Sequence, residues 1–227
     1  MNGFMKRLLG AVTIAAAAIG FGALPAHAQG DQQVLVNQSQ TTLSNFMRDP
    51  EMKWLQQNFS RAKAVMISPE IVKAGFIFGG SGGRALVVAK AGNRWVGPSF
   101  YTMATASVGF QAGVAVSEMV TLVMTDKGLN SLLSANFKMG GDASVAAGPV
   151  GAGAKSDIVA DLITFTRAKG VYGGINLDGT LVNLSDEWNK AYFGKPVLPP
   201  DILIKANVSN KGADKLLAEV ARAAGGK

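Results

Sequence analysis

The stretch Ala104-Thr-Ala-Ser-Val-Gly-Phe-Gln-Ala-Gly-Val-Ala-Val-Ser117 decides the fold class of this 227-residue chain. Small or apolar residues occupy its even positions, and mostly polar residues or glycines occupy its odd positions. Strict two-residue alternation is typical of a β-strand with two unlike faces. We therefore predict a strand here, with a bulge near Ser117, because Glu118 falls on the apolar side of the alternation.

Glycine is concentrated in the same part of the chain, where 18 of the 28 glycines lie between Gly75 and Gly174. Glycine weakens a strand unless it marks a bend, a bulge or a close approach of another backbone. Repeated glycines in alternating strands therefore predict a strongly curved antiparallel sheet, or one that closes into a barrel. We interpret Gly79-Gly-Ser-Gly-Gly83 as a turn between two short strands. A phosphate-binding loop is less favoured, since the P-loop pattern is missing and no clear helix follows Arg84.

Helices are predicted before the sheet. Val34 to Arg48 has helical spacing of apolar residues, and Asp49-Pro-Glu51 has the N-cap, proline and acidic first turn that begin a second helix. The second helix carries one apolar stripe, formed by Met52, Leu55, Phe59 and Ala62. Such a helix either packs on its own domain, which is the favoured interpretation, or lies on a membrane surface through its basic flanks.

A short mid-chain helix after Asp126 and helices near the C-terminus complete the pattern. No linker is evident between Gly30 and Ala224. The predicted fold class is therefore α+β: a single domain with a curved, glycine-rich antiparallel or barrel-like sheet, N-terminal helices, a short mid-chain helix and C-terminal helices.

The first 28 residues have the three parts of a secretory signal peptide. Lys6 and Arg7 precede an apolar run from Leu8 to Leu24, and Ala26-His-Ala28 supplies a small-x-small cleavage site. An uncleaved anchor is the alternative, but the run is shorter than a spanning helix prefers and contains three glycines. We predict export to the periplasm or the exterior. A single domain over residues 29–227 would remain, and its net charge would fall from +7 to +5.

The composition excludes several kinds of chemistry. The chain has no cysteine, and its one histidine, His27, lies in the segment expected to be removed. A catalytic triad, a thiolate nucleophile and an imidazole or thiolate zinc site are therefore excluded from the exported part. Asp157 with Asp161 is interpreted as surface carboxylates, and the pairs Lys155–Ser156 and Ser134–Lys138 as chance neighbours. We expect no enzymatic activity, metal or cofactor.

Several basic residues fall at predicted turns, where anionic headgroups would attract them. The candidate lipid-binding residues are Lys63, Lys73, Arg84, Arg94, Arg167 and Lys169. A solvated surface of mixed charge remains an open alternative. Nucleic acid is not expected as a partner, because a charge of +5 is modest and export would separate the two. Charge reversal of Arg167 and Lys169 is expected to weaken vesicle binding without unfolding the domain, since turns tolerate substitution.

Seven glycine-containing motifs occur in the order that is characteristic of the SYLF domain, and the chain resembles that family from about Thr41 to Ala223. The motifs are Ala62–Gly80, Gly97-Pro-Ser-Phe100, Val108–Gly113, Met139–Gly151, Phe165–Gly174, Asp178-Gly179 and Tyr192-Phe-Gly194.

The resemblance implies a lipid-binding domain, with phosphoinositides and other anionic phospholipids as ligands, and a yeast member that binds actin. It attributes membrane contact to an N-terminal amphipathic helix and a basic surface, which here map onto Glu51–Lys63, Lys73, Arg167 and Lys169. For an exported, bacterial member, we expect an anionic phospholipid membrane as the partner. A structural or protein-interaction module of the cell envelope is the alternative. The oligomeric state does not follow from the sequence.

Overall fold

A computed structural model describes residues 26–75, 78–108, 113–151, 158–168, 171–172 and 177–225. The helices within these ranges are α1 (Ala26–Arg48), α2 (Lys53–Asn58), α3 (Asp126–Leu132), α4 (Asp186–Phe193), α5 (Pro199–Leu203) and α6 (Asp214–Ala223). Short 3-10 turns span Pro50–Met52, Phe59–Arg61 and Lys211–Ala213. The strands are β1 (Ala64–Gly75), β2 (Phe78–Ala91), β3 (Arg94–Val108), β4 (Gly113–Val123), β5 (Asn136–Lys138), β6 (Val145–Ala147), β7 (Leu162–Ala168), β8 (Val171–Tyr172) and β9 (Leu181–Leu184).

The nine strands in the described ranges form one sheet in the order β5-β9-β3-β2-β1-β4-β7-β6, with β8 paired to β7. All pairings are antiparallel except that of β6 with β7. The sheet is curled into a half-barrel, with helices before it, within it and after it. The predicted α+β class and the curved sheet are therefore confirmed.

Each face of the sheet carries its own hydrophobic core. On the side that we call the helix face, residues of α1, α2, α4 and α6 pack against the strands, among them Phe46, Leu55, Tyr192, Leu216, Val65, Leu86 and Phe100. Residues of α3, β5 and α5 pack on the opposite face, among them Leu132, Phe137, Ile202, Ala85, Val87 and Tyr101. Both cores cover the same half of the four long strands.

The other half of the four long strands we call the glycine-rich end: residues 72–75 of β1, 78–83 of β2, 104–108 of β3 and 113–117 of β4. The prediction of a turn at Gly79-Gly-Ser-Gly-Gly83 is wrong. These residues lie inside β2 and pair with β1 on one side and β3 on the other. A Cβ on Gly83 would collide with the backbone carbonyl oxygen of Glu70. Glycine therefore permits a close approach of two strands here, which is its other role in sheets.

The alternation from Ala104 to Ser117 belongs to two strands and not to one. It runs along the last part of β3, ends at Val108, and resumes in β4 at Gly113, while residues 109–112 lie outside the described ranges. The two strands do not pair with each other, because β2 and β1 lie between them. The strand prediction holds for each part, but the pattern did not reveal the break between them.

The bulge predicted near Ser117 is present at that level of the sheet, but it lies in the neighbouring strand. Between Ser68 and Ile71, β1 advances three residues while β4 advances two, from Met119 to Ser117. The β1–β2 pairing shifts at the same place. The bulged stretch of β1 contains Pro69, which has no backbone N–H to donate to the hydrogen-bond ladder. The proline therefore explains why β1 bulges here.

Candidate functional site

An open groove of about 460 Å³ lies on the helix face, where α1 and α4 meet the beginning of the glycine-rich end. Its walls come from one side of α1, from the β1 bulge, from β2 and from α4; they include Asp31, Val34, Leu35, Glu70, Val72 and Arg84. Its volume is in the range of small-ligand sites. Gly82 also lines the groove and keeps it open, because it adds no side chain.

Arg84 is the cation of this groove. Its side chain is exposed, and its guanidinium carbon lies 4.0 Å from the centre of the Trp188 ring. Trp188 is itself held in place, since its ring packs edge-on against Phe100 with centroids 5.9 Å apart. The next residue, Asn189, accepts a hydrogen bond of 3.0 Å from the Phe100 amide. Stacking on a fixed indole restricts the guanidinium, and Arg84 remains exposed to solvent.

The rest of the groove combines apolar surface with two carboxylates. Val34 is 52% exposed and Val72 is 38% exposed, so both present apolar surface to the groove. Glu70 is the direct cross-strand neighbour of Arg84, and Asp31 extends from α1. The groove can therefore hold a phosphate at Arg84 beside apolar groups, but its two carboxylates oppose a ligand of high negative charge.

Lys63 and Arg94 lie at the opposite end of the long strands. The Lys63 ammonium pairs with the Asp126 carboxylate at 2.8 Å. Arg94 lines a second groove of about 150 Å³, together with Trp95, Val208 and other residues. About ten strand residues separate Lys63 from Lys73, so roughly 30 Å lies between them.

Lys73 lies in the glycine-rich end, but on the face opposite to the groove. Its cross-strand neighbours are Ser81 on β2 and Ala115 on β4. Val72 lines the groove and consecutive strand residues point to opposite faces, so Lys73 faces away from Arg84. Among the described candidates, the structure thus does not bring the cations together into one surface.

Arg167 lies within β7, not in the turn that follows it, and its side chain is only 20% exposed. Its guanidinium pairs with the Glu118 carboxylate, lies 3.8 Å from the Asp49 carboxylate and sits over the Phe46 ring. Charge reversal of Arg167 would therefore break a partly buried network, contrary to the expectation from the sequence. Lys169 lies outside the described residues, and the part of both cations in lipid binding stays a prediction.

The segment Glu51–Lys63, which the resemblance relates to membrane contact, forms two short 3-10 turns with α2 between them. Its apolar stripe of Met52, Leu55, Phe59 and Ala62 is fully buried in the core of the helix face. The interpretation as a helix packed on its own domain is confirmed. This apolar face is already covered by protein and so does not lie on a membrane.

Asp161 is a structural carboxylate. It accepts hydrogen bonds from the Thr125 hydroxyl at 2.5 Å, and from the amide and hydroxyl of Ser144 at 2.9 and 2.8 Å. The Thr125 bond is the main cause that lowers the pKa of Asp161 to about 2. Its sequence partner Asp157 lies outside the described residues. In the described part of the chain, no three carboxylate or imidazole side chains converge to hold a metal ion.

The sequence did not predict the pairing of Arg84 with Trp188. The two residues are 104 positions apart, and neither lies in a pattern that refers to the other. The aromatic side of α4 was the only signal, because Trp188 and Tyr192 are one helical turn apart. No helix among the described residues is both long and apolar enough to cross a bilayer.

Residues 104–223 match a family model described as "Ysc84: Las17-binding protein actin regulator". SH3 domain-containing YSC84-like protein 1 of Xenopus laevis is 30% identical over 131 residues, which are 55% of this chain and 39% of that protein. The human protein of the same name is 28% identical over 150 residues, 63% of this chain and 44% of its own length.

LAS seventeen-binding protein 3 of Saccharomyces cerevisiae (strain ATCC 204508 / S288c) is 31% identical over 142 residues. The match covers 59% of this chain and 31% of the yeast protein. The chain thus spans less than half the length of these curated relatives. The description of the family and the name of the yeast relative refer to binding or regulation, and none of the printed names describes an enzyme.

Proposed function

This chain belongs to the SYLF family, whose model is described as Ysc84, and from that premise we propose that it is a non-enzymatic module that binds anionic phospholipids at a membrane surface. The observation that carries the proposal is the exposed guanidinium of Arg84, held over Trp188 beside the exposed Val34 and Val72. A planar guanidinium can donate two parallel hydrogen bonds to one phosphate group. The neighbouring apolar side chains can contact the lipid next to that phosphate.

The remaining cations contribute a general attraction. Each Lys or Arg within about a Debye length of an anionic surface adds about 1 kcal/mol, so a cation of the glycine-rich end such as Lys73 strengthens binding without fixing its geometry. Lys63 and Arg94 lie roughly 30 Å away, at the other end of the strands, and add little there. Arg84 is the candidate for a specific contact, because its side chain is both exposed and restricted. Binding should therefore weaken steeply with salt while retaining a part that depends on Arg84.

We place the protein in the periplasm or outside the cell, as one domain of residues 29–227, peripherally associated with the membrane. The N-terminal signal-peptide pattern supports this placement. In a bacterial envelope, phosphatidylglycerol and cardiolipin are the anionic lipids that we assign as ligands. The mass of the protein from fractionated cells tests the placement: a chain that begins at Gln29 supports it, and an intact chain in the cytoplasm contradicts it.

Vesicle flotation at graded salt tests lipid binding. The purified protein should float with vesicles that contain phosphatidylglycerol and remain below with pure phosphatidylcholine. Arg84→Gln should weaken binding about three- to tenfold, because it removes a charge-assisted contact. Arg61→Gln is the matched control, since it removes the same charge from an exposed side chain near the other end of the strands. Failure to float with anionic vesicles even at low salt would refute the proposal.

A protein partner in the cell envelope is the second candidate. The description of the family and the name of the yeast relative favour it, because both refer to binding of a protein. Crosslinking in intact cells should then recover one partner in fixed proportion. Such a partner, together with indifference to vesicles, would replace the lipid proposal with this one.

A further inference from the structure

We propose that the helix-face side of the glycine-rich end enters the interfacial region of the bilayer. This inference rests on the proposed lipid binding and identifies the surface that makes the contact. Eight residues form it, two from each long strand: Val72, Ala74, Gly80, Gly82, Ala104, Ala106, Val114 and Val116. We call this surface the small-residue patch.

The strand register places these residues on one face. In the first row, Val72 pairs with Val116 and Gly82, and Gly82 pairs with Ala104. A second row lies farther from the cores and is formed in the same way by Val114, Ala74, Gly80 and Ala106. Directly paired residues point to the same side of a sheet. Val72 lines the groove under α1, so the whole patch continues the helix face.

The patch is exposed although it consists only of Val, Ala and Gly. Val114 is 74% exposed, and Ala74, Ala104 and Ala106 are also exposed. Where α1 and α6 lie above the same strands, the apolar residues of the strands are completely buried. The eight residues form two adjoining rows without a polar side chain, which gives a small apolar surface that can contact lipid.

The opposite face of the glycine-rich end has a different character. Its row between β4 and β3 consists of Ala115, Lys73, Ser81 and Thr105. This end of the sheet is therefore amphipathic across its thickness. One face can enter the interface while the other carries polar groups and a cation that remain in water, as in an amphipathic helix on a membrane.

Charged residues border the patch, and the carboxylates of Asp31 and Glu70 line the groove together with Val72. The adjacent Glu118 carboxylate is neutralised by Arg167 and accepts a hydrogen bond of 3.0 Å from Thr42. Arg84, the proposed phosphate contact, lies next to the patch on β2, two residues after Gly82 of the first row. A lipid phosphate at Arg84 would hence have its acyl region directed toward Val72 and the patch beyond it.

A second copy of the chain fits the patch less well than a bilayer does. Four strands about 4.8 Å apart and two rows about 7 Å apart define an area on the order of 200 Å². Stable protein interfaces bury about 800 Å² on each partner. Insertion into the interfacial region of a bilayer has no such minimum area, because other contacts, such as that of Arg84 and the general positive charge, add to the binding free energy.

Because the chain has no cysteine, a single environment-sensitive probe can test the proposal. Val114→Cys carries an NBD fluorophore in the patch, and Val159→Cys carries it at a site that is 99% exposed and outside the patch. With phosphatidylglycerol vesicles, the Val114 probe should shift to the blue and brighten several-fold, while the Val159 probe should not change. Val114→Glu should weaken vesicle binding about fivefold or more, whereas Val159→Glu, with the same charge change, should not.

The outcomes separate this inference from the proposed function. Vesicle binding without a response of the Val114 probe, or with equal responses at both sites, would overturn insertion and leave lipid binding intact. Absence of vesicle binding would overturn both. A blue shift without vesicles, together with a doubled mass in analytical ultracentrifugation, would show that a second copy covers the patch and would also overturn insertion.

Discussion

Arg167 and Glu118 lie directly opposite each other on β7 and β4, and the guanidinium donates two hydrogen bonds to one oxygen of the carboxylate. The other carboxylate oxygen accepts from Thr42 of α1. This network connects the first helix to the centre of the sheet next to the glycine-rich end. It makes Arg167 part of the domain's structure and leaves Arg84 as the exposed arginine beside the groove.

Arg167→Gln should lower the free energy of unfolding by about 1–3 kcal/mol, because Glu118 would keep its partly buried charge without its main partner. Chemical denaturation measures this loss. Arg167→Gln with Glu118→Gln should recover part of it, since no unpaired charge then remains. A strictly additive double variant would contradict the coupling of the two residues.

Gly83→Ala should destabilise the domain by about 2 kcal/mol or more, because its Cβ would collide with the Glu70 carbonyl oxygen in the backbone of β1. Gly30→Ala is the control, since a Cβ on this glycine of α1 meets open space. That control should be neutral or stabilising by up to about 1 kcal/mol. Equal melting temperatures for the two variants would show that β1 and β2 are not in close contact at Gly83.

Asp161 should make the free energy of unfolding depend on pH in the acid range. Its pKa is lowered to about 2 in the folded chain from 3.8, so the ionised form favours folding. The stabilisation is complete above the unfolded pKa and is lost as the pH falls from about 5 to 2, with a total of about 1–2 kcal/mol. Asp161→Asn should therefore destabilise the protein at pH 7 and much less at pH 2. If wild type and Asp161→Asn differed in stability by the same amount at pH 7 and at pH 2, the lowered pKa of Asp161 would be refuted.

Trp188→Leu should weaken binding to anionic vesicles about two- to fivefold, because Arg84 would lose the aromatic surface that restricts it. Trp188→Phe retains a ring and should have a smaller effect. Circular dichroism checks that both variants keep the fold. Identical affinities for the wild type and the Leu variant would show that the Arg84–Trp188 contact has no part in binding.

The sequence predicted the class of the fold but not the extent of its strands. Alternation around Val114 identified strand structure, since period two follows from the geometry of the backbone. The same rule could not reveal that Gly79–Gly83 continues a strand, because glycine occurs both in turns and where backbones approach closely. The role of Gly83 depends on the backbone of Glu70, which lies beside it only when β1 and β2 have paired.

The candidate site was predicted in its residue types and not in its arrangement. Arg84 was selected for its position at an expected turn; it lies instead in a strand, facing Trp188 on a helix 104 residues later. Arg167 was selected on the same ground and is paired inside the domain. Charge alone does not distinguish a cation that faces solvent from one that neutralises a carboxylate, since that difference is decided by tertiary contacts.

The most direct test of the account is a titration of the wild type, Arg84→Gln and Arg61→Gln with vesicles in which phosphatidylglycerol replaces phosphatidylcholine stepwise. We expect the affinity of the wild type to rise with the anionic fraction, and Arg84→Gln to bind clearly more weakly than Arg61→Gln at every composition. Equal affinities of the two variants, or a wild type that ignores the anionic fraction, would contradict the assignment of Arg84 as a phospholipid contact.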